Sequence, residues 1–254
     1  MAKIISIVNQ KGGVGKTTTA VNLAACIGAK GKNVLLVDID PQGNTTSGYG
    51  INKRGAKSSY DVIVGGEKIE KCTIKTKFEG VSVVPSSIDL SGADIEILEI
   101  PQRERLLKNA IASVYDKYDY ILFDCPPSLG LITLNALTAS DTFLVPIQAE
   151  YYALEGLSQL MATVRKIKAS YNKYLELEGV LLTMYDGRLS LTRQVTDEIK
   201  KYFPKKVYKT VIPRNVRLSE APSFGEPIIY FDRHSTGAAA YTAVAEEMLE
   251  AGNG

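Results

Sequence analysis

The sequence predicts an α/β fold, a mostly parallel central sheet with helices on both faces. Three observations carry that expectation. Runs of apolar residues recur at 4–8, 33–38, 81–85, 120–124, 142–147, 179–184 and 207–212, and several are apolar on successive residues, as suits strands covered on both faces. Stretches with helical spacing lie between them, and strands alternating with helices imply parallel pairing. A glycine-rich loop joins the first strand to the first helix, the order that phosphate binding requires. With no internal repeat, low-complexity tract or separating linker, residues 1–254 are expected to form one domain.

Taken in order, the β-branched run at 4–8 is the first strand and 17–30 the first helix. Between them runs Lys11-Gly12-Gly13-Val14-Gly15-Lys16-Thr17-Thr18. The glycines let the backbone curl so that several N–H groups point at one anion, and the helix start adds its partial positive charge. Lys16 is placed to reach the β- and γ-phosphates and the Thr17 hydroxyl to hold Mg²⁺. The second strand ends in Asp38-Ile39-Asp40-Pro41-Gln42, at the ligand edge of an open α/β sheet. Period-two geometry is expected to point Asp38 and Asp40 to the same side. Asp40 is then a candidate to orient the attacking water, with Asp38 supporting the metal or a loop.

Residues 43–80, rich in Gly, Ser, Lys and Thr with a short helical stretch near 60–64, read as an insertion over that ligand edge. The strand at 120–124 ends on Asp124, an acid for Mg²⁺, and Pro126-Pro127-Ser128 opens a loop able to switch with the γ-phosphate. Leu154, Leu157, Leu160, Met161, Val164 and Ile167 share one helical face. Leu191, Val195, Ile199 and Tyr202 mark another helix, which Pro204 stops.

A chain of 254 residues, 45% hydrophobic and 23% charged, has the composition of a soluble globular protein. No apolar run approaches the roughly 18 residues that span a bilayer, and no leader precedes the first strand, so the expected place of work is the cytoplasm. Cys26, Cys72 and Cys125 are odd in number and widely separated, and His234 has no second histidine to pair with, so all four read as structural. Net charge is only +2, but residues 161–233 hold fourteen Lys and Arg against eight Asp and Glu, which marks a candidate anion-binding face.

The loop departs from GxxxxGK[ST] by placing Gln10 where the first glycine is expected, and it supplies Lys11 and Gly12-Gly13 instead. In this it resembles the deviant Walker A box of the ParA and MinD group of ATPases. The DxDPQ string at Asp38 and the DCPPSLG string at Asp124 look like that group's second and third nucleotide motifs. The strings beginning at Glu150 and Pro213 extend the likeness over nearly the whole chain, toward the chromosomal ParA type, also called Soj. The resemblance implies ATP and Mg²⁺ as cofactors and slow ATP hydrolysis with Lys11, Lys16 and Asp40 as catalytic residues. Lys11 would cross a nucleotide-sandwich dimer to the partner subunit's phosphates, with Glu150 near the dimer face and Pro213 and Asn215 bordering the adenine. The ATP-dependent homodimer would bind double-stranded DNA without sequence preference, as a nucleoid-associated protein. A ParB-type partner would stimulate turnover and release it. The extra amino-terminal DNA-binding domain of larger plasmid relatives is not expected.

Two other outputs share this nucleotide site. A MinD-like membrane switch ends in a basic amphipathic helix, whereas the stretch at 236–250 offers Glu246, Glu247 and Glu250 and no lysine or arginine, so anionic lipid would repel it. A nitrogenase-type iron protein needs cluster-ligating cysteines after the nucleotide motifs, and Cys125 is wrongly placed for that. For DNA, Arg188 and Arg217, joined by Arg193 and Lys200, are the candidate contacts; the opposing reading has the arginines solvated, or paired with Asp186 and Glu220.

Overall fold

In the computed structural model, which describes residues 1–53 and 55–251, the chain enters β1 (Lys3–Ile7) at once and crosses the phosphate loop into α1 (Lys16–Gly28). β2 (Val34–Asp38) follows, then α2 (Asn44–Gly48), α3 (Ser59–Ile63), α4 (Ile69–Cys72), the two-residue β3 (Ile74–Lys75) and β4 (Val81–Val84). α5 (Leu90–Glu96) and α6 (Leu106–Ile111) lead to β5 (Tyr120–Asp124), α7 (Leu131–Ala139) and β6 (Thr142–Gln148). The last part holds α8 (Ala153–Ser170), β7 (Glu176–Thr183), α9 (Ser190–Tyr202), α10 (Val216–Glu220), α11 (Ile228–Phe231) and α12 (Thr236–Ala251).

All seven strands join one sheet in the order β3-β4-β2-β5-β1-β6-β7, parallel except for the antiparallel β3–β4 edge pair. Alternate strand residues point to opposite faces, and both faces are covered. Ile4, Leu35, Val37, Ile121 and Phe123 enter one core with residues of α3, α4, α6, α7, α8 and α9. Ile5, Ile7, Leu36 and Leu122 enter the other, with residues of α1 and α12. The doubly apolar strands of the sequence are the direct result. α12 buries Tyr241, Val244, Ala245 and Met248 in that second core, so its apolar face is already occupied. Among the described residues, no helix is long and apolar enough to cross a membrane.

Two expectations need correction. Residues 207–212 do not form a seventh parallel strand; beside β7 they make the isolated bridge Val180–Val207, and Tyr208 N–H donates to Val180 O at 3.0 Å. The cause is local. The Glu247 carboxylate on α12 accepts the Lys209 and Thr210 N–H groups at 2.8 and 3.2 Å, and Ile212 instead donates to Leu182 O at 2.8 Å. The segment at 43–80 covers the ligand edge over its first part, as far as Ser59, which donates from Oγ to Asp38 O at 2.6 Å and from its N–H to Pro85 O at 2.8 Å. Beyond that it buries Ile63, Ile69 and Cys72 in the first core and supplies the edge strand β3.

Candidate nucleotide site

β1 delivers the phosphate loop at its carboxyl end, and neighbouring strands fix its path. Val8 N–H donates to Leu144 O at 3.0 Å and Asn9 Nδ2 to Pro146 O at 2.8 Å, tying the loop to β6. Thr183 at the end of β7 donates from Oγ1 to Val14 O at 2.7 Å. Gly13 and Gly15 have φ of 73° and 88°, the left-handed region that glycine enters without strain. A methyl group on Gly12 or Gly13 would meet no atom within 4 Å, so the loop faces open space. Gly15 caps α1 without a side chain, which leaves the first-turn N–H groups for an anion.

The two loop lysines differ in setting. Lys16 is 7% exposed and its Nζ donates to Lys11 O at 3.1 Å. Burial lowers its pKa, opposed by the charges of Asp124, Cys125 and Asp40. Lys11 points elsewhere: its side chain is 44% exposed and pairs at 2.5 Å with Glu150, which is equally exposed.

Parallel register sets the acids. Asp124 ends β5 level with Ile7 of β1 and Asp38 of β2. Both carboxyls are fully buried and both hold their protons more tightly than usual, because burial penalises their charge. Asp38 takes the Thr46 N–H and hydroxyl on Oδ2 at 2.8 and 2.6 Å, and the Asp40 N–H on Oδ1 at 3.3 Å. Its oxygens are thus engaged with α2 and the strand end; of the two roles expected from sequence, supporting the metal or a loop, these bonds serve the loop. β2 ends at Asp38, so Asp40 lies just past the strand. Asp40 lines the cavity. Asp124 accepts the Thr45 hydroxyl on Oδ2 at 2.8 Å, while its buried Oδ1 has no hydrogen-bond partner among the described residues. The Thr17 hydroxyl lies near enough to ease the charge on Asp124. An open carboxylate oxygen beside a hydroxyl is the hard-oxygen set that Mg²⁺ takes.

Asp40 and Thr183 border a cavity of about 620 Å³ whose floor is Gly12, Gly13, Gly15, Lys16, Thr17 and Thr18. Its far wall is the segment after residue 211, where Pro213 and Asn215 both line the space. Asn215 is fixed there as the N-cap of α10, its Oδ1 accepting Leu218 N–H at 3.2 Å. Sequence reasoning missed Thr45, Thr46 and Thr183. The adjacent threonines shortly after the DxDPQ string, past Gly43 and Asn44, were the available signal for the first two; Thr183 had none, since its bond to Val14 spans 169 positions.

Comparison with known proteins agrees with this geometry. A family profile described as an AAA domain matches residues 2–177. The sporulation initiation inhibitor protein Soj of Bacillus subtilis is 57% identical over 99% of this chain and 100% of its own length. The chain belongs to the Soj/ParA family of chromosome-partitioning ATPases. The chromosome partitioning protein ParA of Myxococcus xanthus is 48% identical, over 98% of this chain and 89% of that protein. Among solved structures, a cobyrinic acid a,c-diamide synthase of Mycobacterium smegmatis with bound ADP and magnesium superposes with a TM-score of 0.85. It shares 35% identity over 98% of this chain and 94% of that one.

On the outer surface of this Soj/ParA member, the basic candidates are exposed and mostly held by neighbours. Arg188 grips Asp186 with Nε and Nη2 at 2.9 and 2.7 Å, yet its side chain remains 89% exposed. Arg193 donates to Gly187 O at 3.0 Å, and Lys200 is exposed on α9. Arg217 is bound more firmly, to Asp232 at 2.8 Å and Glu220 at 2.7 Å, with its guanidinium 4.6 Å from the Phe231 ring. Cys26, Cys72 and Cys125 are buried free thiols.

Proposed function

We propose that residues 1–254 form one nucleotide-gated DNA-segregation ATPase, cytoplasmic and nucleoid-associated. Mg²⁺ and ATP are its ligands, and the ATP-bound form is a sandwich homodimer that binds double-stranded DNA without sequence preference. The observation that carries this reading is the separation of the two lysines. Lys16 is buried at the cavity floor, where it serves its own subunit's phosphates; Lys11 stands outside the cavity on an exposed ion pair with Glu150. Exposed pairs of this kind contribute little and are readily exchanged for a stronger anion, so a partner subunit's phosphates can draw Lys11 across.

Asp40, bordering the cavity beside the loop, is assigned the water-orienting role. Thr17 and Asp124 would hold Mg²⁺, Asp124 directly or through a water, and the bound ion would supply positive charge to the phosphates. Pro213 and Asn215 flank the adenine. Hydrolysis removes the γ-phosphate that Lys11 bridges, so the dimer opens and the DNA contacts halve. A ParB-type centromere-binding protein accelerates that step. The DNA face is assigned to Arg188, Arg193, Lys200 and Arg217, and dimerisation doubles their number, which raises affinity steeply because each phosphate contact releases counterions.

A gel shift with random-sequence duplex tests this output. Retardation is expected with ATP and not with ADP, and it should weaken steeply as salt rises; equal retardation with both nucleotides would contradict the switch.

A further inference from the structure

α2 is five residues long, yet it ties together the ends of three adjacent strands. Thr46 binds Asp38 at the end of β2 through both its N–H and its hydroxyl, and the same hydroxyl oxygen accepts Ser86 N–H, just past β4, at 2.9 Å. Thr45, the preceding residue, donates to Asp124 Oδ2 at the end of β5. Thr45 and Thr46 are both fully buried. The hydroxyl of Thr45 is therefore delivered to Asp124 from a platform that is itself immobilised.

The consequence falls on the other carboxylate oxygen. A carboxylate has two oxygens on one planar group, so a hydrogen bond that fixes Oδ2 also fixes where Oδ1 points. Asp124 Oδ1 is a buried atom with no hydrogen-bond partner among the described residues, and the cavity residues Thr17 and Lys16 both act on this carboxyl. Leaving such an oxygen unpaired is costly, and a cation or a cation's water is what would satisfy it. We infer that Thr45 is a positioning residue for magnesium: by holding Asp124 Oδ2, it presents Oδ1 to the metal beside Thr17. The inference rests on the Mg²⁺–nucleotide reading given above. Thr45 touches neither nucleotide nor metal in this account, so it governs the metal's share of nucleotide affinity and leaves the metal-free share alone. Partners that orient metal ligands commonly contribute about 10- to 100-fold in metal affinity.

The test is calorimetric titration of ADP with MgCl₂ and with EDTA, on the full chain and on Thr45→Val, Thr45→Ser and Asp124→Asn. In Thr45→Val the tightening of ADP by Mg²⁺ should fall about tenfold or more, with EDTA affinity within about twofold of the parent's. Thr45→Ser, which keeps the hydroxyl, should restore the tightening. In the Asp124→Asn background, Thr45→Val should change the magnesium effect no further. Unaltered tightening in Thr45→Val overturns the inference, as does an equal loss with and without Mg²⁺, the mark of a structural defect alone. Should Thr45→Val fail to fold, binding of Mn²⁺ to Thr45→Ala and Thr45→Ser followed by electron paramagnetic resonance decides, with weakened binding in Thr45→Ala and parent-like binding in Thr45→Ser expected, and parent-like binding in Thr45→Ala overturning it. A parent chain whose ADP affinity ignores Mg²⁺ would overturn the nucleotide reading beneath.

Discussion

The ligand edge of the sheet and the basic surface of the last third carry their charges in opposite ways. At the ligand edge Lys16, Asp38, Asp40 and Asp124 are buried, and each is fixed by hydrogen bonds or bordered by the same cavity. On the outer surface Arg188, Arg193, Lys200 and Arg217 are exposed, and what holds them is mostly a neighbour a few residues away. Buried charges act strongly and locally because little water screens them. Surface charges act weakly one at a time and gain effect by number. Chemistry therefore belongs to single residues at the first region, and binding belongs to the sum of many at the second.

The sharpest break between the two regions is expected at Asp40. Asp40→Ala should lower ATP turnover about 10²- to 10⁴-fold, with MgATP affinity nearly unchanged because water positioning contributes mainly to the transition state. Paired turnover and binding measurements check this; an unchanged rate would move the role to another group. Lys16→Ala comes next. Removing a buried charged donor from the phosphates should weaken nucleotide binding by about 10- to 100-fold, read by fluorescent-nucleotide titration.

At the surface the expected effects are smaller and separable from stability. Arg188→Glu should reduce DNA affinity and flatten its salt dependence by about one phosphate contact per subunit, with the melting temperature unmoved, since the exposed Asp186 pair contributes little. Arg217→Glu should lower the melting temperature as well, because it sets a third carboxylate beside Asp232 and Glu220. If both variants lower DNA affinity without touching stability, the distinction between a free and a held arginine disappears.

The smallest effect concerns pH. Asp38 and Asp124 keep their protons to higher pH when folded than when unfolded, owing to burial first and, for Asp38, the neighbouring charge of Asp124. Their stabilising contribution is complete below the ordinary carboxylate range and is lost as pH rises through the raised folded values. Without nucleotide, the chain should melt higher near about pH 6 than near about pH 8 through these two groups. Asp38→Asn should remove part of that difference and raise the melting temperature near about pH 8 by about 2–4 °C.

The contrast also explains what the sequence made legible. A strand, a glycine loop and a helix are contiguous, so Gly13, Gly15, Lys16 and Thr17 announce their geometry by spacing alone, and Asp124 is announced by the apolar run before it. Contacts between distant segments leave no such trace. Glu247 reaches Lys209 and Thr210 from α12, so a stretch with strand-like composition was diverted from the sheet. Asp38 reads from sequence as supporting the metal or a loop, and nothing local marks its bond to Thr46 or that of Thr45 to Asp124. The fold class was readable because it depends on short-range periodicity, while the tie between α2 and the two buried acids depends on tertiary placement.

The central claim is that Lys16 serves its own nucleotide and Lys11 a partner's, and sedimentation of the parent and Lys11→Ala with ATP, each with and without random-sequence duplex, tests it most directly. The parent should sediment as a dimer with ATP and co-sediment with DNA; Lys11→Ala should bind ATP with affinity within about threefold of the parent's, since an exposed ion pair contributes little, yet remain a monomer and leave the DNA free. A Lys11→Ala chain that dimerises and carries DNA as the parent does would contradict the account.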